Sequence, residues 1–338
     1  MPNELRALLF VGAALVGVLV QSSVAGATEK ITLGVLRFSS NLPEYIAVDR
    51  GYFAAEGLDV RLVDFDAGQP VAVATLSGDI DFGAAGITTA LYQMAAQGGL
   101  RLIGGSANTA PGFHTSAILA SEKAYAEGLR SLKDLAGHSV GLTQIGSTYH
   151  YAYFLTAEKY GIDLKTIRPL PLQSMGNVAA ALVGGQADTG VLNTSVALPL
   201  VSAGKVKLLG WTDEEVSFQI AAVWTSTKTA NERPEIVKGF LRGLRRGGAD
   251  FAAAFIGNDG KPQEGPDAEN ILELVGKRMH QPVDQVKLSL GYYDPQARLD
   301  LADVQRQLDW YYDQGMLKTK ISVDQVVDRR YVLPMPSR

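Results

Sequence analysis

Two doubly wound α/β lobes joined by two strands are the fold that the sequence predicts, and three observations predict it. Strand-like and helix-like segments alternate from Lys30 to Trp211, the pattern of parallel sheets covered by helices. The stretch Leu76-Ser-Gly-Asp-Ile-Asp-Phe-Gly-Ala-Ala-Gly-Ile-Thr-Thr89 returns 107 residues later as Val183-Gly-Gly-Gln-Ala-Asp-Thr-Gly-Val-Leu-Asn-Thr-Ser-Val196. Two long apolar strands, Phe113–Ala120 and Phe218–Thr225, have no partner in that repeat and read as the hinges between lobes.

Taken in order, Lys30–Arg37 alternates and is β-rich, a first strand, and Phe38–Asn41 is a polar-aromatic loop. Pro43 stands where a helix starts, and Leu42, Tyr45, Ile46 and Asp49 follow at helical spacing. Gly51 and Gly57 bracket a short helical piece, and Leu58–Phe65 is the next strand. A turn at Gly68-Gln-Pro70 opens a helix over Val71–Leu76; a buried strand at Ile80–Ala84, a helix through Leu91–Ala96 and a strand at Leu100–Gly104 complete the first half. The second half repeats the grammar: a helix at Leu132–Ala136, a strand at Ser139–Thr143, a helix at Tyr149–Tyr160, a strand at Ile167–Leu172, the repeated stretch, and a strand at Val206–Trp211. At the 107-residue offset Gly34 meets Gly141, Gly78 meets Gly185, Asp81 meets Asp188, Gly83 meets Gly190 and Ala90 meets Ala197. From Asn231, a candidate N-cap, the chain turns helical, with Ile236, Phe240 and Leu244 on one face. Helices over Asp267–Arg278, Val283–Leu288 and Leu301–Gln314 follow, and this tail is expected to pack on the first lobe. The expected division is 28–115 with 222–338 for the first lobe and 116–221 for the second.

The N-terminus reads as an export signal. Arg6 precedes an apolar run, Ala7–Val20, and a small-polar segment that ends Ala25-Gly26-Ala27, a cleavage site. Fourteen residues rise only about 21 Å as a helix, short of the roughly 30 Å hydrocarbon core, so residues 1–27 are expected to be removed rather than to anchor the chain. The chain has no cysteine, which excludes both a disulfide framework and a lipid attached to a cysteine. An exported, unlipidated protein fits a periplasm. A net charge of −4 argues against a nucleic-acid surface.

Catalytic signatures are missing: there is no G-x-S-x-G, H-E-x-x-H, P-loop or dinucleotide glycine motif, and the four histidines stand far apart. No cofactor or metal is expected, and the chain is not expected to be an enzyme. What remains are strand-to-helix junctions rich in hydroxyl and amide groups, where free backbone N–H groups and the helix dipole suit an anion. They are Arg37, Phe38, Ser39 and Asn41 after the first strand; Gly86, Thr88 and Thr89; Gln144, Ser147, Thr148 and Tyr149; and Asn193 and Thr194. His114, at the start of a proposed hinge, joins the list, and Phe38, Tyr149 and Trp211 are candidates for an aromatic wall. Asp81 and Asp188 are better read as turn residues that bond backbone N–H groups.

Asp49-Arg-Gly-Tyr-Phe-Ala-Ala-Glu-Gly-Leu-Asp-Val60, the spacing Leu76-x-Gly-x-x-Asp81-x-Gly83 and Leu308-Asp-Trp-Tyr-Tyr-Asp-Gln-Gly315 together resemble the substrate-binding proteins of ABC importers for sulfonates, taurine, nitrate and thiamine-precursor pyrimidines. The resemblance spans about residues 31–330. It implies the type II periplasmic binding protein fold, with the second lobe inserted in the first and a ligand buried between them. It implies that the four junctions meet a small organic anion, an aliphatic sulfonate or taurine-like compound, and that the protein, as a monomer, delivers it to an inner-membrane permease with a cytoplasmic ATPase. An aromatic carboxylate, nitrate or a thiamine pyrimidine precursor is the alternative ligand. An enzyme on the same two-lobe fold, with His114 or His150 as its base, is the alternative class.

Overall fold

The computed structural model describes residues 28–37 and 41–336; the expected export signal, residues 1–27, and Phe38, Ser39 and Ser40 lie outside them. Among the described residues no helix is long and apolar enough to cross a membrane. The chain builds β1 (Glu29–Leu36), β2 (Leu58–Phe65), β3 (Phe82–Gly86), β4 (Leu100–Gly105) and a short β5 (Ala107–Asn108). It then builds β6 (Ser116–Ser121), β7 (Ser139–Leu142), β8 (Arg168–Pro171), β9 (Thr189–Asn193) and β10 (Val206–Trp211), before β11 (Ala221–Ser226) and a short β12 (Tyr292–Tyr293). One sheet runs β2-β1-β3-β11-β4 and the other β8-β7-β9-β6-β10, position for position the same design. In each sheet the first three strands are parallel and the fourth is antiparallel to both neighbours.

The two expected hinge strands are therefore placed differently. Most of Phe113–Ala120 is β6 and most of Phe218–Thr225 is β11, each an inner antiparallel strand of the sheet it enters. The passage between lobes is shorter. It is made where Asn108 bridges Gln219, Thr109 N–H donates to the Phe218 carbonyl (3.1 Å) and Ile220 N–H donates to the Ala107 carbonyl (3.0 Å). An apolar run alone does not separate a connector from a buried sheet strand, because both need β-rich residues. Two further segments differ. Leu132–Asp134 is only a 3₁₀ turn, fixed by a capping box between Ser131 and Asp134, and Asn231 lies in the short Thr227–Glu232 helix, so Arg233 precedes the long Pro234–Phe255 helix.

The repeat holds at the level of atoms. Gly34 pairs with Gly83 across β1 and β3, and Gly141 pairs with Gly190 across β7 and β9. A Cβ on Gly34 would meet Ile80, Val71 and Phe65, and one on Gly141 would meet Ala187, Val178 and Leu172, the same three positions 107 residues on. Asp81 accepts from the N–H (2.8 Å) and hydroxyl (2.9 Å) of Thr32, as Asp188 does from those of Ser139 (2.8 and 2.8 Å). Both carboxylates bond backbone, but that of the neighbouring strand and not of their own turn.

The C-terminal helices pack on the first lobe through stacked Phe53, Phe240 and Phe82 and through ion pairs Arg50–Asp250 (2.6 Å) and Arg278–Asp49 (2.6 Å). The Leu301–Asp313 helix departs from that expectation, since its side chains reach both lobes.

Candidate functional site

A cavity of about 60 Å³ lies between the lobes. Its wall is built from the carboxyl ends of parallel strands and the starts of the helices that follow, the position where α/β sheets bind ligands. Three pairs of lining residues are repeat equivalents: Leu36 and Thr143 just at the ends of β1 and β7, Gly68 and Met175 at helix starts, and Gly86 and Asn193 at the ends of β3 and β9. Each lobe thus contributes the same three corners of the wall.

Five helices begin at this cavity, and they are finished differently. Thr88 caps the Thr89–Ala96 helix by accepting from Leu91 N–H (3.2 Å), Ser147 caps Thr148–Lys159 by accepting from His150 N–H (3.3 Å), and Ser174 caps Met175–Val183 by accepting from Asn177 N–H (3.2 Å). The Gly68–Ser77 helix, preceded by Ala67, and the Thr194–Ser202 helix, preceded by Asn193, carry no side-chain cap. One bare helix start therefore faces the cavity from each lobe. In the second of them the hydroxyl of Ser195 is buried without a partner. The Thr194 N–H is taken by the Thr115 carbonyl (3.1 Å), so in that helix it is the N–H groups after it, with the positive end of the helix dipole behind them, that attract negative charge.

The electrostatics of the rest of the wall are sparse. Among the described lining residues Asp66 is the one charged side chain. Tyr149 lines the wall, and burial pushes its phenol far above the usual range, so its hydroxyl stays protonated. The lobes meet beside the cavity: Thr89 N–H donates to the Gly146 carbonyl (3.0 Å), and the Thr148 hydroxyl donates to the Ile87 carbonyl (2.7 Å).

Seven residues singled out in the sequence come together in this wall: Gly86, Thr88, Gln144, Ser147, Thr148, Tyr149 and Asn193. Others do not. Arg37 is half exposed and pairs with Asp64 (3.4 Å) on the outside of the lobe. Asn41 is fully buried as a brace, accepting from Leu36 N–H (3.1 Å) and donating to the Ala84 carbonyl (3.0 Å). Thr89 is spent on the inter-lobe contact. Thr194 gives its N–H to the Thr115 carbonyl (3.1 Å) and its hydroxyl to the His114 carbonyl. His114 stacks on Trp211 (4.4 Å) and bonds Asp213 (3.0 Å), pinning the ends of β6 and β10 rather than facing the cavity. Phe38 and Ser39 lie outside the described residues. Leu36, Asp66, Ala67, Gly68, Thr143, Met175 and Ile220 were not singled out. The 107-residue offset, applied to Gly86 and Asn193, also relates Leu36 to Thr143 and Gly68 to Met175, and that signal was available in the sequence.

Comparison with known proteins adds the family. The model of the family described as NMT1/THI5 like matches residues 39–254. No curated protein matches the chain. Among solved structures, the alkanesulfonate-binding protein SsuA from Xanthomonas axonopodis pv. citri bound to MOPS is similar at 21% identity and TM-score 0.72, covering 88% of this chain and 98% of that one. The periplasmic nitrate-binding protein NrtA from Synechocystis PCC 6803 is similar at 15% identity and TM-score 0.67, covering 90% and 87%. The desulfurization enzyme DSZB is similar at 16% identity and TM-score 0.58, covering 90% and 96%. These likenesses show the two-lobe fold of periplasmic binding proteins.

Proposed function

The chain belongs to the NMT1/THI5 like family, and from that premise we propose that it is the periplasmic substrate-binding component of an ABC importer. It captures a small sulfonate between its lobes, an aminoalkylsulfonate such as taurine before a plain alkanesulfonate, and delivers it to the permease. The observation that carries this reading is the pair of helix starts without a side-chain cap that meet one cavity from opposite lobes. They supply N–H donors for an anionic head without an arginine or lysine. Asp66 is exposed on this wall, so water screens most of its repulsion of a bare anion, and an ammonium on the same ligand gains a small preference from it.

Size does not separate these ligands: the space of about 60 Å³ is smaller than the roughly 150 Å³ that takes up benzene, so taurine, a pyrimidine and an aromatic carboxylate alike need the lobes further apart than they stand. An enzymatic reading needs a base at the cavity, and the one ionisable base the described wall offers is the exposed carboxylate of Asp66. His114 is held by Asp213, and His150 is buried with its Nδ1 accepting from Gly146 N–H (2.9 Å), so neither lines the wall.

Thermal unfolding with taurine, methanesulfonate, nitrate, benzoate and an aminopyrimidine tests the reading. Taurine at 100 times its Kd is expected to add about 2.7 kcal/mol to stability. Stabilisation by nitrate or benzoate and not by either sulfonate overturns it.

A further inference from the structure

The Leu301–Asp313 helix sends three side chains into the second lobe. Arg306 Nε donates to the Tyr151 hydroxyl (3.1 Å), Trp310 Nε1 donates to Glu158 Oε1 (3.2 Å), and the Tyr311 hydroxyl donates to the carbonyl of Ser147 (3.2 Å). All three acceptors belong to the Thr148–Lys159 helix or its cap. The rings interlock as well: Trp310 lies 5.3 Å from Tyr151 and 6.1 Å from Phe154.

The same face of the helix is also tied to the first lobe and to a crossing segment. Gln307 accepts from the Tyr92 hydroxyl (3.0 Å) and donates to the Gln219 carbonyl (2.9 Å), and Asp303 accepts from Gln219 N–H (2.6 Å). Arg306 also bonds Asp303 and the Ser217 carbonyl. The covalent passage between lobes consists of two narrow segments, and two such segments leave a rotation free. A helix bonded to both lobes along several turns removes that freedom.

We propose that Arg306, Trp310 and Tyr311 are positioning residues for ligand capture. They hold the Thr148–Lys159 helix at a fixed angle to the first lobe, and so set where Ser147, Thr148 and Tyr149 stand in the cavity wall. None of the three lines the cavity. The inference rests on the cleft being the ligand site, and it makes affinity depend on a helix that the ligand does not touch.

The test uses Tyr311→Phe, which removes one oxygen, and the triple variant Arg306→Gln/Trp310→Phe/Tyr311→Phe, which keeps a phenyl ring at 310 and at 311. Calorimetric titration with taurine is expected to show a weakened Kd for Tyr311→Phe and a loss of roughly tenfold or more for the triple variant. Tyr331→Phe removes a hydrogen bond of the same kind to the Ala230 carbonyl (2.6 Å) within the first lobe and is expected to leave Kd unchanged. Small-angle X-ray scattering of the ligand-free proteins is expected to give a larger radius of gyration for the triple variant than for the wild type. Unchanged scattering of the triple variant overturns the proposal, and so does a Kd that rises in Tyr331→Phe as much as in Tyr311→Phe. If the wild type binds no taurine, the ligand assignment fails while the scattering comparison still decides the positioning role.

Discussion

The two lobes share a frame down to single atoms and differ in what each buries beside it. Both pair a glycine of the first parallel strand with a glycine of the inner strand, and both anchor an aspartate on the neighbouring hydroxyl residue. Yet the first lobe buries an acid, Glu44, and the second buries a base, His150. The repeat fixes what any lobe of this fold needs. The departures from it show where each lobe carries its own burden, and comparing equivalent positions separates the two.

The largest expected effect concerns those two buried groups. Burial raises Glu44 from 4.5 to about 7, so the folded protein holds that proton more tightly than the unfolded chain does. Its cost to stability is absent at low pH and grows as pH rises from about 4.5 to 7. Burial lowers His150 from 6.5 to about 4, so its cost is absent above about 6.5 and grows as pH falls to 4. Each shift corresponds to something on the order of 3 kcal/mol, with opposite sign over nearly the same window. The two offset one another in the wild type between about pH 4.5 and 6.5. Glu44→Gln is expected to lose stability relative to wild type as pH falls through that window, and His150→Asn to gain it. Chemical denaturation at several pH values reads both slopes. Parallel pH profiles for the two variants break the comparison.

The next effect concerns how tightly the shared frame is filled. A Cβ on Gly34 would stand 2.9 Å from Val71 Cγ1 and closer still to Ile80, whereas one on Gly141 would stand 3.2 Å from Leu172 and 3.3 Å from Ala187 and Val178. The difference is one of volume, since an isoleucine in the first lobe is matched by an alanine in the second. Gly34→Ala is expected to cost roughly 1–3 kcal/mol, the usual penalty of overpacking, and Gly141→Ala clearly less. Equal losses in urea midpoint would mean that the lobes relax alike.

How far the molecule was legible follows from the same contrast. Gly34, Asp81 and Gly83 with their counterparts were readable because a turn or a close strand pairing admits few residue types, and the sequence preserves them at a constant offset. The swapped inner strands β6 and β11 were not, because a buried strand and a connector demand the same apolar residues. Arg37 and Asn41 were misplaced for a related reason. The carboxyl end of a strand lies near the cleft, but whether a side chain there points inward, braces the turn or pairs outside with Asp64 depends on register and neighbours. Asp66 gave no signal because it matches no motif. The role of the Leu301–Asp313 helix was hidden because one-lobe and two-lobe contacts leave the same amphipathic pattern.

The smallest expected change in stability tests the site itself. Thr88 and Asn193 each stand directly before a helix, Thr88 two residues past the end of β3 and Asn193 at the end of β9, but only Thr88 accepts a capping bond. If the bare start is kept open for a ligand, stability and affinity must separate between the two positions. Thr88→Ala is expected to cost about 1 kcal/mol in the ligand-free protein, the usual value of a lost cap. Asn193→Ala removes no capping bond and is expected to shift the ligand-free melting temperature less. Its effect is expected in the stabilisation that taurine adds, because Asn193 lines the cavity beside N–H groups that nothing else satisfies through a side chain. Melting curves of both variants with and without taurine give the four numbers needed. A loss of ligand-free stability in Asn193→Ala equal to that in Thr88→Ala, with taurine stabilising it as fully as the wild type, would make the residue a structural one and move the anion site to the start of the Gly68–Ser77 helix.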